Sequence, residues 1–173
     1  NDDVIRWLSE KLISAGHTAP KYHAMSHARI AESEASNRAI QLARLVNTPL
    51  LIVHVSTEEA AQTIRRAQDN GLKVFGETCP QYLFLTADDI DKDGMEGAKF
   101  CCSPPPRDEA SQQVIWSALE SGSLHIFSSD HAPFRMAGPD GKFAVGKEPS
   151  FDQVANGIPG VYYLIFIIVD CYC

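Results

Sequence analysis

The stretch Leu50-Leu51-Ile52-Val53-His54-Val55, followed after a polar interval by Gly71-Leu72-Lys73-Val74-Phe75-Gly76, decides the fold class. Its first six residues are an almost unbroken apolar run, the pattern of a strand covered on both faces in a parallel sheet, with His54 its one polar member. Ser56 with Glu59 three positions later reads as a capping box that opens a helix to about Asn70. Gly71 supplies the left-handed stop, and residues 72–76 return to strand character. A strand, a helix and a second strand in this order form a βαβ unit, and its strands run parallel.

The same alternation extends in both directions. Upstream, Val4, Ile5, Leu8, Leu12 and Ile13 recur at helical spacing behind Asp2 and Asp3, with Gly16 as the stop. A loop containing Pro20 follows, and then a helix over residues 30–47 that ends before Thr48-Pro49. Downstream come a loop with Cys79-Pro80, a short cap at residues 86–89, and a strand over 98–102 that Pro104, Pro105 and Pro106 bring to an end. A helix over 109–121 is stopped by Gly122, and a strand over 124–128 delivers Asp130 and His131 into a loop. The Gly-, Pro- and Lys-bearing stretch 137–149 reads as a long loop over a site. Repeated units of this length, with no glycine-rich phosphate turn after any strand, favour an α/β fold that is part of a (β/α)8 barrel. A doubly wound sheet stays open on pattern alone.

Composition narrows the function. The 173 residues are 45% hydrophobic and 21% charged, which excludes disordered and fibrous classes. A net charge of -7, with only 15 Lys and Arg residues and no long basic cluster, argues against nucleic acid as a partner. Five cysteines without paired C-x-x-C units, and no signal-type segment, argue for a reducing cytoplasm over secretion. The apolar run 161–169 is shorter than the roughly 20 residues that cross a bilayer, so no membrane role is expected. Asn1 stands where a Met would begin a chain, and helical periodicity starts at once, so the chain reads as truncated upstream.

Polar residues at strand ends carry the candidate chemistry. His54 can give a ring nitrogen to a divalent metal, or be a core histidine bonded to a carbonyl. Asp130, in Ser129-Asp130-His131-Ala132-Pro133, can ligate a cation and accept a proton from its water, or cap its own loop. His131 can orient that carboxylate, or be an ordinary exposed loop histidine. Ser103, ahead of three prolines, and Asn156, in Asn156-Gly157-Ile158-Pro159-Gly160, sit in stiff segments able to present backbone groups to an amide, and both also suit plain turns. Neither Cys101-Cys102 nor Cys171-x-Cys173 has the ligands of a zinc site, and no G-x-S-x-G elbow or P-loop occurs.

Four ordered segments, Ile52-Val53-His54-Val55-Ser56, Gly76-Glu77-Thr78-Cys79-Pro80-Gln81-Tyr82-Leu83, Cys102-Ser103-Pro104-Pro105-Pro106-Arg107-Asp108 and Ser129-Asp130-His131-Ala132-Pro133-Phe134, together resemble the hydantoinase and dihydropyrimidinase family of cyclic amidohydrolases. The likeness runs over residues 1–160. It implies a C-terminal-half fragment of a metal-dependent amidohydrolase TIM barrel, roughly strands six to eight, with 161–173 a divergent apolar tail of no assigned function. It implies a two-zinc (Zn2+) centre to which His54 and Asp130 are ligands, ring opening of a hydantoin or dihydropyrimidine by a metal-activated hydroxide, and Asp130 managing the proton. Ser103 and Asn156 match positions that hold the cyclic amide. The remaining metal ligands of the family fall outside this sequence, so the resemblance also implies a fragment inactive by itself, prone to self-association, from a cytoplasmic homo-oligomer that is tetrameric in the family. An allantoinase and a non-catalytic dihydropyrimidinase-like scaffold are the alternatives.

Overall fold

The computed structural model describes residues 1–161, in the order α1 (Asp2–Ser14), α2 (Tyr22–Ser26), α3 (Arg29–Leu45), β1 (Leu50–Ile52), α4 (Glu58–Asp69), β2 (Val74–Thr78), α5 (Gln81–Phe84), α6 (Ala87–Ile90), a 3-10 turn (Glu96–Phe100), α7 (Glu109–Glu120), β3 (Ile126–Phe127) and a second 3-10 turn (Phe151–Gln153). The expected divergent tail, apart from Val161, lies outside the described residues. The three strands form one parallel sheet in sequence order, β1-β2-β3, with Leu50 opposite Val74 and Thr78 opposite Phe127. Each strand is joined to the next through helical segments, as parallel pairing requires.

The core lies between this sheet and its helices. Ala60, Ala61, Ile64 and Ala67 fall on one face of α4 and are all buried. Ile64 at its centre has no exposed surface, a burial worth roughly 1.5–3 kcal/mol. The small alanines let α4 lie close on β2, and Gly76 completes the fit: a Cβ there would stand 2.4 Å from Leu124 Cδ2. Val74, Leu83, Ile115, Ala118 and Leu124 extend the same cluster to α7. A second cluster of Ile90, Ala98, Cys101 and Val154 sits beneath the later loops.

Several sequence expectations are corrected. β1 is covered on one face only, because Leu51 and Val53 are 42% and 41% exposed, and Phe75 and Ile126 on the neighbouring strands are 42% and 40% exposed. The regular strand also ends at Ile52, since His54 turns the chain into the left-handed region at φ +44°. The helix after it is capped by Thr57, whose side chain accepts from the Ala60 amide, and not by a Ser56–Glu59 box. Glu59 instead pairs with Arg29 and Ser56 with Glu32. The expected strand over 98–102 is a 3-10 turn and an irregular segment. Its Cys101 amide is used by Ala98 and its Cys101 carbonyl by Gly157, leaving no ladder to join. The loop around Pro20 holds α2, a short helix that the sequence pattern did not reveal.

Candidate functional site

Two non-glycine residues beyond strand ends adopt left-handed backbone, His54 after β1 at φ +44° and Asp130 after β3 at φ +41°. Such conformations are costly for residues other than glycine and persist where the surroundings impose them. Pairing continues past the regular strands to hold both: the Val55 amide donates to the Glu77 carbonyl at 2.8 Å, Thr78 Oγ1 donates to the Val55 carbonyl at 2.8 Å, and the Ser128 amide donates to the Thr78 carbonyl at 3.1 Å. His54 and Asp130 therefore sit at the same, C-terminal end of the sheet on either side of β2. His54 Nδ1 is buried with no hydrogen-bond partner among the described residues. An unpaired buried ring nitrogen costs free energy unless something absent from the chain engages it. Asp130 is exposed, and its Oδ2 accepts from Gln81 Nε2 at 3.1 Å.

The segments carrying Ser103 and Asn156 meet at this end. The Gly157 amide donates to the Cys101 carbonyl at 3.0 Å, and the buried Lys142 Nζ donates to the carbonyls of Cys101 (2.9 Å) and Ala155 (2.8 Å). Burial lowers the Lys142 pKa, with two nearby thiols acting the other way. The Ala132 amide donates to the Ile158 carbonyl at 3.1 Å, drawing the stretch after Asp130 onto the same assembly. Gly157, at φ +152°, is required there, because a Cβ would stand 2.4 Å from the Ala132 carbonyl oxygen. Ser103 and Asn156 are both exposed. His131 Nδ1 accepts from the Gly160 and Val161 amides, so its ring faces that turn, while the side chain bonded to the Asp130 carboxylate is Gln81.

A buried ionic cluster ties these loops to the helices. Arg107 Nη2 donates to Glu32 Oε2 at 3.0 Å, Nε to Ser56 Oγ at 3.0 Å and Nη1 to the His27 carbonyl. Glu32 Oε1 also accepts from the Ser56 and Thr57 amides, placing a carboxylate at the start of α4, where the helix dipole favours it. His54, Ser103, Arg107 and His27 line a cleft of about 460 Å³ whose other wall is apolar, with Ile5, Ala31, Ala35 and Ala39. Asp130 is not among its lining residues. Among the described residues, no three His, Cys, Asp or Glu side chains stand together as a metal cluster. The chain thus gathers His54 and Ser103 in one cleft and sets Asp130 at the same end of the sheet, outside the lining of that cleft.

Burial pushes Cys79 and Cys102 up to about 12 and Cys101 to about 11, and the Asp130 charge acts in the same direction on Cys79 and Cys102. Sequence reasoning missed Gln81, Lys142 and His27. Gln81 follows Cys79-Pro80 in the sequence, but nothing in one sequence marks a side chain whose partner is 49 positions away.

An α/β segment with a strained histidine and a strained aspartate beyond the C-terminal ends of parallel strands defines a class of chain that assembles polar groups at one end of a sheet. No family model matches it. It is 42% identical to the D-hydantoinase of Streptomyces coelicolor over 161 residues, and 41% identical to that of Rhizobium radiobacter, in each case over 93% of this chain and 34% of the relative. Its fold superposes on dihydropyrimidinase from Brevibacillus agri with a TM-score of 0.87 at 41% identity, covering 92% of this chain and 34% of that one. L-hydantoinase from Arthrobacter aurescens matches with a TM-score of 0.75 at 26% identity over 92% and 34%. Over the segment it covers the chain is similar to hydantoinases and dihydropyrimidinases, and it spans about a third of the length of these relatives.

Proposed function

We propose that this chain serves as part of a cyclic amidohydrolase that opens hydantoin or dihydropyrimidine rings, its three strands being an arc of a (β/α)8 barrel equivalent to strands six to eight. Sequential parallel order with no reversal, and an apolar sheet face left open, support the barrel over a doubly wound sheet. The observation that carries the activity is the pair of left-handed residues at one end of the sheet, with His54 Nδ1 buried and unsatisfied.

His54 and Asp130 suit two positions in the coordination of zinc, which takes imidazole nitrogen and carboxylate oxygen, and the remaining ligands come from elsewhere in the protein. The chemistry that zinc supplies when bound is activation of water and polarisation of the ring carbonyl. Asp130, exposed on the rim, takes the proton of the attacking water and returns it to the departing ring nitrogen. Gln81 Nε2 holds the carboxylate in place for both transfers, and His131 fixes the turn at Gly160 that follows. Ser103 and Asn156 bind the ring amide, largely through the backbone, in segments that Lys142 keeps in register. The same reading makes the protein a homo-oligomer of the reducing cytoplasm, acting in pyrimidine-type ring catabolism. It is consistent with three free, buried thiols.

Ring opening of hydantoin, dihydrouracil and allantoin by the gene product that carries this segment tests the proposal. Hydrolysis of the first two that falls at least about 100-fold in Asp130→Asn, and is lost in His54→Ala together with bound zinc, supports it. Preference for allantoin moves the substrate class, and full activity in both variants overturns the site.

A further inference from the structure

We infer that Ser103 and His27 form a hydroxyl–imidazole dyad that accepts acyl groups from small activated esters, an activity separate from the proposed metal chemistry and independent of it. The hydrogen-bond partners of the His27 ring fix its tautomer. Its Nδ1 lies 2.9 Å from the His23 carbonyl and 3.0 Å from Ser26 Oγ. The carbonyl is only an acceptor, and the single Ser26 hydroxyl proton is donated to that same carbonyl at 2.9 Å. Both partners of Nδ1 are therefore acceptors, and Nδ1 carries the ring proton. Nε2 is left bare in the neutral ring, 3.0 Å from Ser103 Oγ, so the hydroxyl donates to it. A nucleophile hydrogen-bonded to a base that a third group orients is the arrangement that activates serine hydroxyls in unrelated folds.

Surroundings favour the reaction. Burial lowers the His27 pKa, with the Arg107 charge adding to the effect, so the ring is a free base near neutrality. Ser103 is exposed and lines the same cleft as His27. Ile5, Ala31 and Ala39, with Leu51 and Val53 beside β1, give the cleft apolar surface that suits a short alkyl acyl chain. In the reaction, Ser103 Oγ attacks the ester carbonyl carbon while its proton passes to His27 Nε2. The bond to the alcohol oxygen then breaks, its electron pair leaves with that oxygen, and the proton on Nε2 follows it. Water attacks the acyl-serine, gives a proton to Nε2, and that proton returns to Ser103 Oγ as the carboxylic acid departs.

The test treats the full chain with an alkyl fluorophosphonate, which phosphonylates activated serines with loss of fluoride, and with p-nitrophenyl butyrate. Mass mapping is expected to place the phosphonyl group on Ser103, with nitrophenolate release unchanged by a zinc chelator. Both rates are expected to fall about 100-fold or more in His27→Gln, the usual contribution of a general base. Because His27→Gln can perturb folding, 15N NMR of the unsubstituted chain gives a second measurement. It is expected to show Nδ1 protonated and Nε2 bare, with Nε2 shifting in Ser103→Ala. Label on lysines only, a rate indifferent to His27→Gln, or a ring protonated on Nε2 overturns the dyad. Abolition by the chelator also overturns it and returns any ester cleavage to the metal reading, whereas failure of ring opening alone leaves the dyad standing.

Discussion

The two faces of the sheet carry similarly apolar residues and meet opposite fates. On one face Val74, Gly76 and Thr78 are shut from water, the first two beneath Ile64 and Leu124. On the other, Leu51, Val53, Phe75 and Ile126 remain 40–42% exposed, and Phe75 meets the edge of His125. Apolar patterning therefore records that a residue is meant for cover, without saying that the cover lies in the same segment of chain. In the barrel reading the open face is the interior, to be filled by strands from elsewhere in the protein.

The largest expected effect sharpens this contrast at the mouth, where cover is ionic. Arg107→Met leaves Glu32 buried without its partner, and urea unfolding is expected to show a loss of about 3–5 kcal/mol. Ile64→Ala on the covered face is expected to cost about 3 kcal/mol by the same measurement. Thr57→Ala, which removes the cap of α4, is expected to cost about 1 kcal/mol. Phe75→Ala on the open face is expected to change stability by under about 0.5 kcal/mol while reducing self-association in sedimentation. A Phe75→Ala loss equal to that of Ile64→Ala would break the comparison.

Acid provides a separate probe of the covered interior. Burial, with the charge of His27 adding to it, holds the His23 pKa at about 3, and its Nε2 faces the Cys102 carbonyl at 2.8 Å. Between the ordinary value of about 6.5 and 3 the unfolded chain takes up a proton on this residue that the folded chain refuses. This contribution to stability is present above pH 6.5 and is lost as pH falls through that window. The urea midpoint of His23→Gln is expected to vary less steeply over the same range.

The βαβ unit was legible because its signals are local. Helical spacing in residues 60–67, the glycine stop at Gly71 and the apolar runs are each set by neighbours in sequence. Helix α3 and the final helix and strand were legible for the same reason. The capping of α4 was misplaced because Glu32, from another helix, takes Ser56 for itself. The stretch 98–102 looked like a strand from its side chains, yet its backbone partners come from Gly157 and Lys142, far along the chain. His54 and Asp130 were visible as candidates, while their left-handed backbone and the unsatisfied Nδ1 are properties of the folded chain.

Lys142 makes the long loop something other than a free flap. Its buried ammonium donates to two carbonyl oxygens, that of Cys101 on the Ser103 side and that of Ala155 on the Asn156 side. Neutralising that nitrogen, as by acetylation, would turn an attraction among three groups into a repulsion between two. The long loop would then lose the side-chain tie that joins it to the Cys101 and Ala155 backbones.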